Sequence, residues 1–333
     1  MNRIYRAGEE IILVDPTPEM LPIIKKMNPR FKIDSRPPKR YEPLFVKSKQ
    51  SGELDEKIRK AEEGLRSCKL CAWECGADRA KEKGKCRASS TALCYPPFIH
   101  IAEESVINPA LILNFAFCSL DCVYCIAKEK NESIPSALSG EAFWKQAESL
   151  YKSFRFQAIE FGGGEPSLFI PSILRLLNSA PEELALPVVL NSNLFLSPQA
   201  VELFDRIIDV YLVDFRYAGE KCASRLSNAP NYFEAAWRSI ESLTKQQAKI
   251  IVRILVLPNH FECCHKPVIE KLSKLKERIW ISVLDQYVPA HLALCFPDIA
   301  RRPNRKEVEE VKSLARCLGL RDVEEKPEAF WTD

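Results

Sequence analysis

No stretch of about 18 consecutive apolar residues occurs in the 333-residue chain, so a membrane-spanning helix is not expected. The opening MNRIYRAGEE is polar and does not read as a secretory signal. A surplus of one charge is also missing: 48 Lys and Arg against 45 Asp and Glu leave a formal net charge of +3. That near balance gives no electrostatic case for a nucleic-acid or membrane binder. Histidine is scarce, with four scattered residues, and no internal repeat is visible. The expectation is a cytoplasmic globular protein with one large domain and a smaller appendage.

Cysteine is what the chain has in excess. There are thirteen, and seven of them fall into two tight groups. Close spacing within each group favours shared metals over chain-crossing disulfides. The first group, in LRSCKLCAWECGADRAKEKGKCRAS, is Cys68, Cys71, Cys75 and Cys86, with Gly76 and Gly84 permitting tight turns. Four thiolates fill a tetrahedral shell with no open position. The surroundings are rich in Lys and Arg and lack the apolar runs that would bury a low-potential cluster. A single structural ion, zinc or mononuclear iron, is expected here, with a second [4Fe–4S] cluster as the alternative.

The second group, NFAFCSLDCVYC, sets Cys118, Cys122 and Cys125 at C-x3-C-x2-C spacing. Three thiolates can hold a cluster while leaving one iron without a protein ligand, and an open metal position is where a substrate binds. A zinc knuckle would want a fourth Cys or His nearby, and the next dozen residues contain neither. The other cysteines, Cys94, Cys222, Cys263, Cys264, Cys295 and Cys317, read mostly as small buried apolar residues, with the adjacent Cys263 and Cys264 also readable as a redox pair.

Along the chain, residues 1–53 are Pro-rich and basic and are expected to form an extended arm. Residues 54–105 make the Cys-rich metal-binding segment, entered by a helix from Leu54 to Arg66. From 106 to 333, short apolar runs alternate with amphipathic helical patterns. Strands are predicted at 111–117, 157–161, 187–191, 209–215, 249–257 and 279–285. Helices are predicted near 140–153, 170–179, 198–206, 231–246, 265–277 and 304–317, with start signals at Ser139 and at Ser197-Pro198. Apolar strands separated by helices imply a parallel sheet covered on its outer face. The fold class is α/β, and six such units suit a partial (β/α)6 TIM-type barrel.

The motif CSLDCVYC resembles the signature of the radical S-adenosylmethionine (SAM) superfamily, C-x3-C-x-aromatic-C, with Tyr124 at the aromatic position. The resemblance implies that Cys118, Cys122 and Cys125 bind three irons of a [4Fe–4S] cluster and that SAM chelates the fourth. One electron then splits the S–C5′ bond to give a 5′-deoxyadenosyl radical that abstracts hydrogen. EFGGGEP (160–166) resembles the element that binds the SAM amino group, implying roles for Gly163, Gly164 and Glu165. By the same resemblance Tyr124 lies near the adenine. Asn191, Ser192 and Asn193 of LNSN are expected to hydrogen-bond the ribose or carboxylate of SAM, and Asp214 and Arg216 of DVYLVDFR resemble the D-x-K element of glycyl-radical-enzyme activases, with Arg in place of Lys.

In glycyl-radical-enzyme activases, positions equivalent to Asn191, Ser192 and Asp214 help form a monovalent-cation site, but Asn191 replaces an acidic residue there. The four-cysteine lead-in is similar to that of proteins related to pyruvate formate-lyase activating enzyme, and the likeness runs from about Cys68 to Leu320. The implied function is a radical SAM oxidoreductase acting on a protein, peptide or small molecule, with a glycyl-radical-enzyme activase-like role as one form of it. It would be served by a low-potential reductant such as ferredoxin or flavodoxin. A non-catalytic iron–sulfur carrier or redox sensor is the competing reading.

Overall fold

The computed structural model describes residues 3–7, 10–14, 41–101, 103–130, 134–325 and 327–331. Two strands, β1 (Arg3–Ala7) and β2 (Glu10–Val14), form a hairpin. Helices α1 (Leu44–Gln50) and α2 (Glu53–Gly64) follow. The expected arm is therefore not wholly extended, and residues 15–40 of it lie outside the described residues. Short strands β3 (Leu93–Cys94) and β4 (Phe98–Ile101) lead to β5 (Ala110–Phe115). The repeating part then runs α3 (Ala127–Lys130), β6 (Ser136–Ala137), α4 (Gly140–Ser153), β7 (Ala158–Gly163), α5 (Ile170–Asn178), β8 (Val188–Ser192), α6 (Pro198–Phe204) and β9 (Val210–Asp214). It closes with α7 (Glu220–Ser227), α8 (Tyr232–Leu243), β10 (Lys249–Leu255), α9 (Lys266–Leu272), β11 (Trp280–Leu284), α10 (Arg305–Cys317) and the short α11 (Pro327–Phe330).

The sheet order is β1-β2-β4-β5-β7-β8-β9-β10-β11. From β5 to β11 every neighbouring pair is parallel, giving the six-stranded arc expected from the apolar runs. β4 and β2 extend its first edge antiparallel. The predicted starts hold for two helices. Ser139 Oγ accepts from the Ala142 amide, and Ser197 Oγ accepts from the Ala200 amide with Pro198 in the first turn. Such caps are worth about 1 kcal/mol each.

Alternation along each strand sorts residues to two faces. Outward residues such as Leu111, Ile159, Leu190, Tyr211 and Val252 pack with the helices in the main core. Inward residues divide by depth. Near the amino ends, Ala110, Ala158, Val189, Val210, Ile251 and Trp280 meet Val323 and Phe330 in a separate apolar floor. One pleat further on, the lumen turns polar. Glu160 accepts from Asn191 Nδ2 at 2.8 Å, and Arg253 grips Glu104 with two hydrogen bonds, of 2.9 and 2.5 Å. The sheet thus makes a cup with a greasy base and polar walls, and its mouth lies at the carboxyl edge, where α/β folds carry their chemistry.

Candidate active site

The three clustered cysteines lie in the loop leaving β5 at that mouth. The loop turns sharply because Phe117 adopts a left-handed φ of +67°. It is then held from two sides. The Asp121 and Val123 amides donate to the Ser227 and Leu226 carbonyls at the end of α7, at 3.0 and 2.9 Å. From beyond β11, the Leu292 amide donates to the Val123 carbonyl at 2.8 Å. Cys122 is buried, and Cys118 and Cys125 are partly buried. Burial pushes the Cys118 and Cys122 thiols above their ordinary range.

Polar groups reach the sulfurs. Asn193 Nδ2 lies 3.4 Å from Cys118 Sγ and 3.1 Å from Ser119 Oγ. The Ser227 hydroxyl donates to Cys122 Sγ at 3.0 Å. A chain of hydroxyls continues from there: Ser227 to Tyr217 at 2.7 Å, Tyr217 to Tyr124 at 2.5 Å, and Arg216 Nη1 to Tyr124 at 3.4 Å. Arg216 Nη2 pairs with Asp214 at 2.5 Å, while its buried Nε has no hydrogen-bond partner among the described residues. An unpartnered guanidinium nitrogen in a buried setting is costly unless a ligand acceptor meets it.

The glycine run packs tightly against the chain's own backbone. A Cβ on Gly164 would stand 1.8 Å from the Phe117 carbonyl oxygen, and one on Gly163 would stand 2.7 Å from the Phe115 amide and carbonyl. What approaches so closely is the chain's own triad loop: the Gly164 and Glu165 amides donate to the Phe115 and Phe117 carbonyls. Glu165 is wholly buried. Its carboxylate accepts from the Ser167 amide at 3.2 Å, the Ser192 hydroxyl at 2.9 Å and the Asn193 amide at 2.8 Å. Burial raises its pKa against these donors. Glu165 thereby ties β7 to the loop that presents Asn193.

Asn191, Ser192 and Asp214 bond to three different partners, Glu160, Glu165 and Arg216. Tyr124 is 4% exposed and packs edge-on to Tyr287 at 5.8 Å, a buried aromatic with its hydroxyl engaged. Sequence reasoning missed Tyr217, Ser227 and Tyr232. The Tyr232 hydroxyl lies 2.8 Å from the Asp214 carbonyl, 3.0 Å from the Asn193 carbonyl and 3.2 Å from the Arg216 amide, pinning two strand ends together.

The amino-terminal cysteines sit beside this mouth. Cys71 bridges Leu196, the Ala72 amide donates to the Phe195 carbonyl, and Trp73 Nε1 donates to the Ser119 carbonyl at 2.8 Å. A Cβ on Gly84 would lie 3.3 Å from Cys86 Sγ and 3.5 Å from Cys75 Sγ, so this glycine leaves room for two sulfurs to converge. Arg79 Nη1 is 3.6 Å from Cys68 Sγ. Burial pushes the Cys71 thiol up to about 12. Of the cysteines expected to be inert and buried, Cys263, Cys295 and Cys317 are instead exposed, so burial does not explain them.

Residues 115–272 match the family model of the radical SAM superfamily. The chain belongs to the radical SAM superfamily. Its polypeptide is 31% identical over 273 residues to the uncharacterized protein MJ0674 of Methanocaldococcus jannaschii, covering 80% of this chain and 79% of that one. Among solved structures, this radical SAM protein is similar to methylornithine synthase (PylB), at 14% identity and a TM-score of 0.44 over 86% of this chain and 83% of that one. It is also similar to HydG, a maturase of the [FeFe]-hydrogenase, at 12% identity and a TM-score of 0.45 over 82% and 63%. Those two likenesses are too distant to bear on chemistry. Membership implies a [4Fe–4S] cluster, SAM and an electron donor. Among the described residues, no helix is long and apolar enough to cross a membrane.

Proposed function

We propose that Cys118, Cys122 and Cys125 hold the [4Fe–4S] cluster and that SAM completes its fourth iron, for hydrogen abstraction from a substrate seated in the polar lumen. The observation that carries this reading is the triad itself: three thiols on one loop at the sheet's mouth, beside a buried Arg216 Nε that lacks a partner. When bound, the cluster supplies the electron that splits the sulfonium S–C5′ bond. The residues supply the rest. Asn193 and Ser227 donate to Cys118 and Cys122, stabilising the extra negative charge of the reduced centre. Arg216, anchored by Asp214, offers its free Nε to an anionic group such as the SAM carboxylate. Glu165 acts through Asn193 rather than by direct contact. Tyr124 serves the hydroxyl chain in addition to any contact with adenine. Gly163 and Gly164 let the triad loop close down.

The substrate is a protein, peptide or small molecule that donates a hydrogen atom. An activase role toward a glycyl-radical partner is one form of this, with ferredoxin or flavodoxin as reductant. The scatter of Asn191, Ser192 and Asp214 over three partners favours a site without a bound monovalent cation. For Cys68, Cys71, Cys75 and Cys86 the reading is a single structural ion of zinc or iron. Domain limits of 1–53, 54–105 and 106–333 go with it.

Anaerobically reconstituted protein given dithionite and SAM is expected to release 5′-deoxyadenosine without added substrate. An intact cluster that releases none would favour the carrier or sensor reading.

A further inference from the structure

Among the described residues, one more group of side chains with metal-ligand chemistry lies outside both cysteine clusters. Cys222 sits in the first turn of α7, after β9, and His260 and Cys263 sit in the turn after β10. Both turns are at the carboxyl edge of the sheet. The ligand atoms of these three residues all lie within 4.8 Å of one another. We propose that Cys222, His260 and Cys263 form a thiolate–imidazole site for a divalent ion of the zinc class.

Three observations carry it. First, the Cys222 and Cys263 sulfurs are 3.8 Å apart. Two thiolates at ~2.3 Å from one tetrahedral ion stand ~3.8 Å apart, whereas a disulfide requires ~2.05 Å. Second, the His260 ring is oriented as ligating imidazoles are. It is 2% exposed, and its Nδ1 lies 2.8 Å from the Pro258 carbonyl oxygen. A carbonyl only accepts, so Nδ1 donates to it, which leaves Nε2 as the ring atom available to a metal. Third, Nε2 faces Asp298 Oδ2 at 3.6 Å. A carboxylate therefore stands beside the two thiols and the imidazole as a further donor, and Asp298 itself is held in place by Arg225. Asp298 or a water supplies the fourth position.

Cys264 is excluded from the set. Its sulfur is 3.7 Å from Cys263 Sγ, but it is not among the ligand atoms that all lie within 4.8 Å of one another. An ion here would clamp the β9–α7 turn to the β10 turn. Because α7 also holds the triad loop through Leu226 and Ser227, the clamp would stiffen the far wall of the active site.

The full chain, grown with zinc and dialysed anaerobically against metal-free buffer, tests this. Wild type is expected to carry about one more equivalent of zinc than Cys263→Ser, Cys222→Ser or His260→Ala, while Cys264→Ser matches wild type and iron content is the same in all. Cys263 is exposed, so Cys263→Ser has no core packing to lose and alone decides the metal count. On the wild type, Cys222 and Cys263 are expected to alkylate at least tenfold faster after a zinc chelator is added, read by mass spectrometry. Equal zinc in wild type and Cys263→Ser would overturn the proposal. So would alkylation indifferent to chelator, or a Cys222–Cys263 disulfide in anaerobically prepared protein.

Discussion

On the proposed reading, the two cysteine clusters hold metal in opposite ways. The amino-terminal set closes on itself: the Cys68 amide donates to the Ala77 carbonyl, the Gly76 amide to the Cys68 carbonyl and the Gly84 amide to the Ala88 carbonyl. All four thiols come from nineteen residues of sequence. The triad loop is instead fixed by α7 and by the segment after β11, over a hundred residues away. Its sulfurs receive side-chain hydrogen bonds from Asn193 and Ser227, on different elements. A locally closed thiol set suits holding chain together. A set with one ligand short, tuned from several strands, suits reaction.

If this contrast is right, breaking each set should have a different signature. The largest effect is expected in the triad. Cys118→Ala, Cys122→Ala or Cys125→Ala should abolish 5′-deoxyadenosine formation, since losing one thiolate dismantles the cage. Undiminished cleavage in any of them would undo the assignment.

Next comes Cys86→Ala, which should leave reductive SAM cleavage measurable but melt its own segment. Metal binding can stabilise such a knuckle by ~10 kcal/mol. New proteolytic cuts between residues 68 and 90, with one metal equivalent lost, are the expected readout. Finding about four irons and four sulfides per chain in a Cys118/Cys122/Cys125 triple-Ala variant would show that the local set holds a cluster, contrary to the single-ion reading.

Glu165→Ala ranks third, because it strands the Ser167 and Asn193 amides and the Ser192 hydroxyl. Each stranded group costs about 1–3 kcal/mol, so unfolding midpoints should fall by several degrees. SAM affinity, measured by titration calorimetry, should weaken with the displaced Asn193 while the cluster's absorbance persists. Unchanged affinity would show that the Asn193 loop does not serve SAM.

The smallest effect is expected for Ser227→Ala. Loss of one hydrogen bond of ~1 kcal/mol to Cys122 Sγ should lower the one-electron potential by roughly 40–50 mV. An EPR-monitored redox titration showing no shift would remove Ser227 from the tuning set.

The six parallel strands were legible because each is buried on both faces and so reads as a near-continuous apolar run, as in KIIVRIL or VYLVD. The flanking antiparallel pieces were not. β3 and β6 are two residues each, and FIHI of β4 is too brief to show a period. α7 was missed because EKCASRLS is polar along most of its eight residues and buries only Ala223, Leu226 and Ser227. α1 was missed because LFVKSKQ spans just two turns. At the site, fixed spacing exposed Cys118, Cys122 and Cys125. Nothing in sequence ties Ser227 to Cys122, 105 positions earlier. Glu165 was visible as a residue, but its burial and its three internal donors were not, since they depend on how β7 meets β8.

The long-range anchoring of the triad loop also sets a timetable during synthesis. The amino-terminal thiols have their local backbone partners, among residues 65–90, once about ninety residues have left the ribosome, and only the contacts of Cys71 and Ala72 with Leu196 and Phe195 come later. The triad's walls are complete only when Leu292 has emerged, some two hundred residues later. The wait from Cys125 to Leu292 is 292 − 125 = 167 residues, roughly 8–33 s at 5–20 residues per second. For that time Cys118, Cys122 and Cys125 lie on an unfinished surface, open to oxidation or to the wrong metal. A cell making this protein needs its iron–sulfur assembly machinery to act after translation of the barrel, not alongside it.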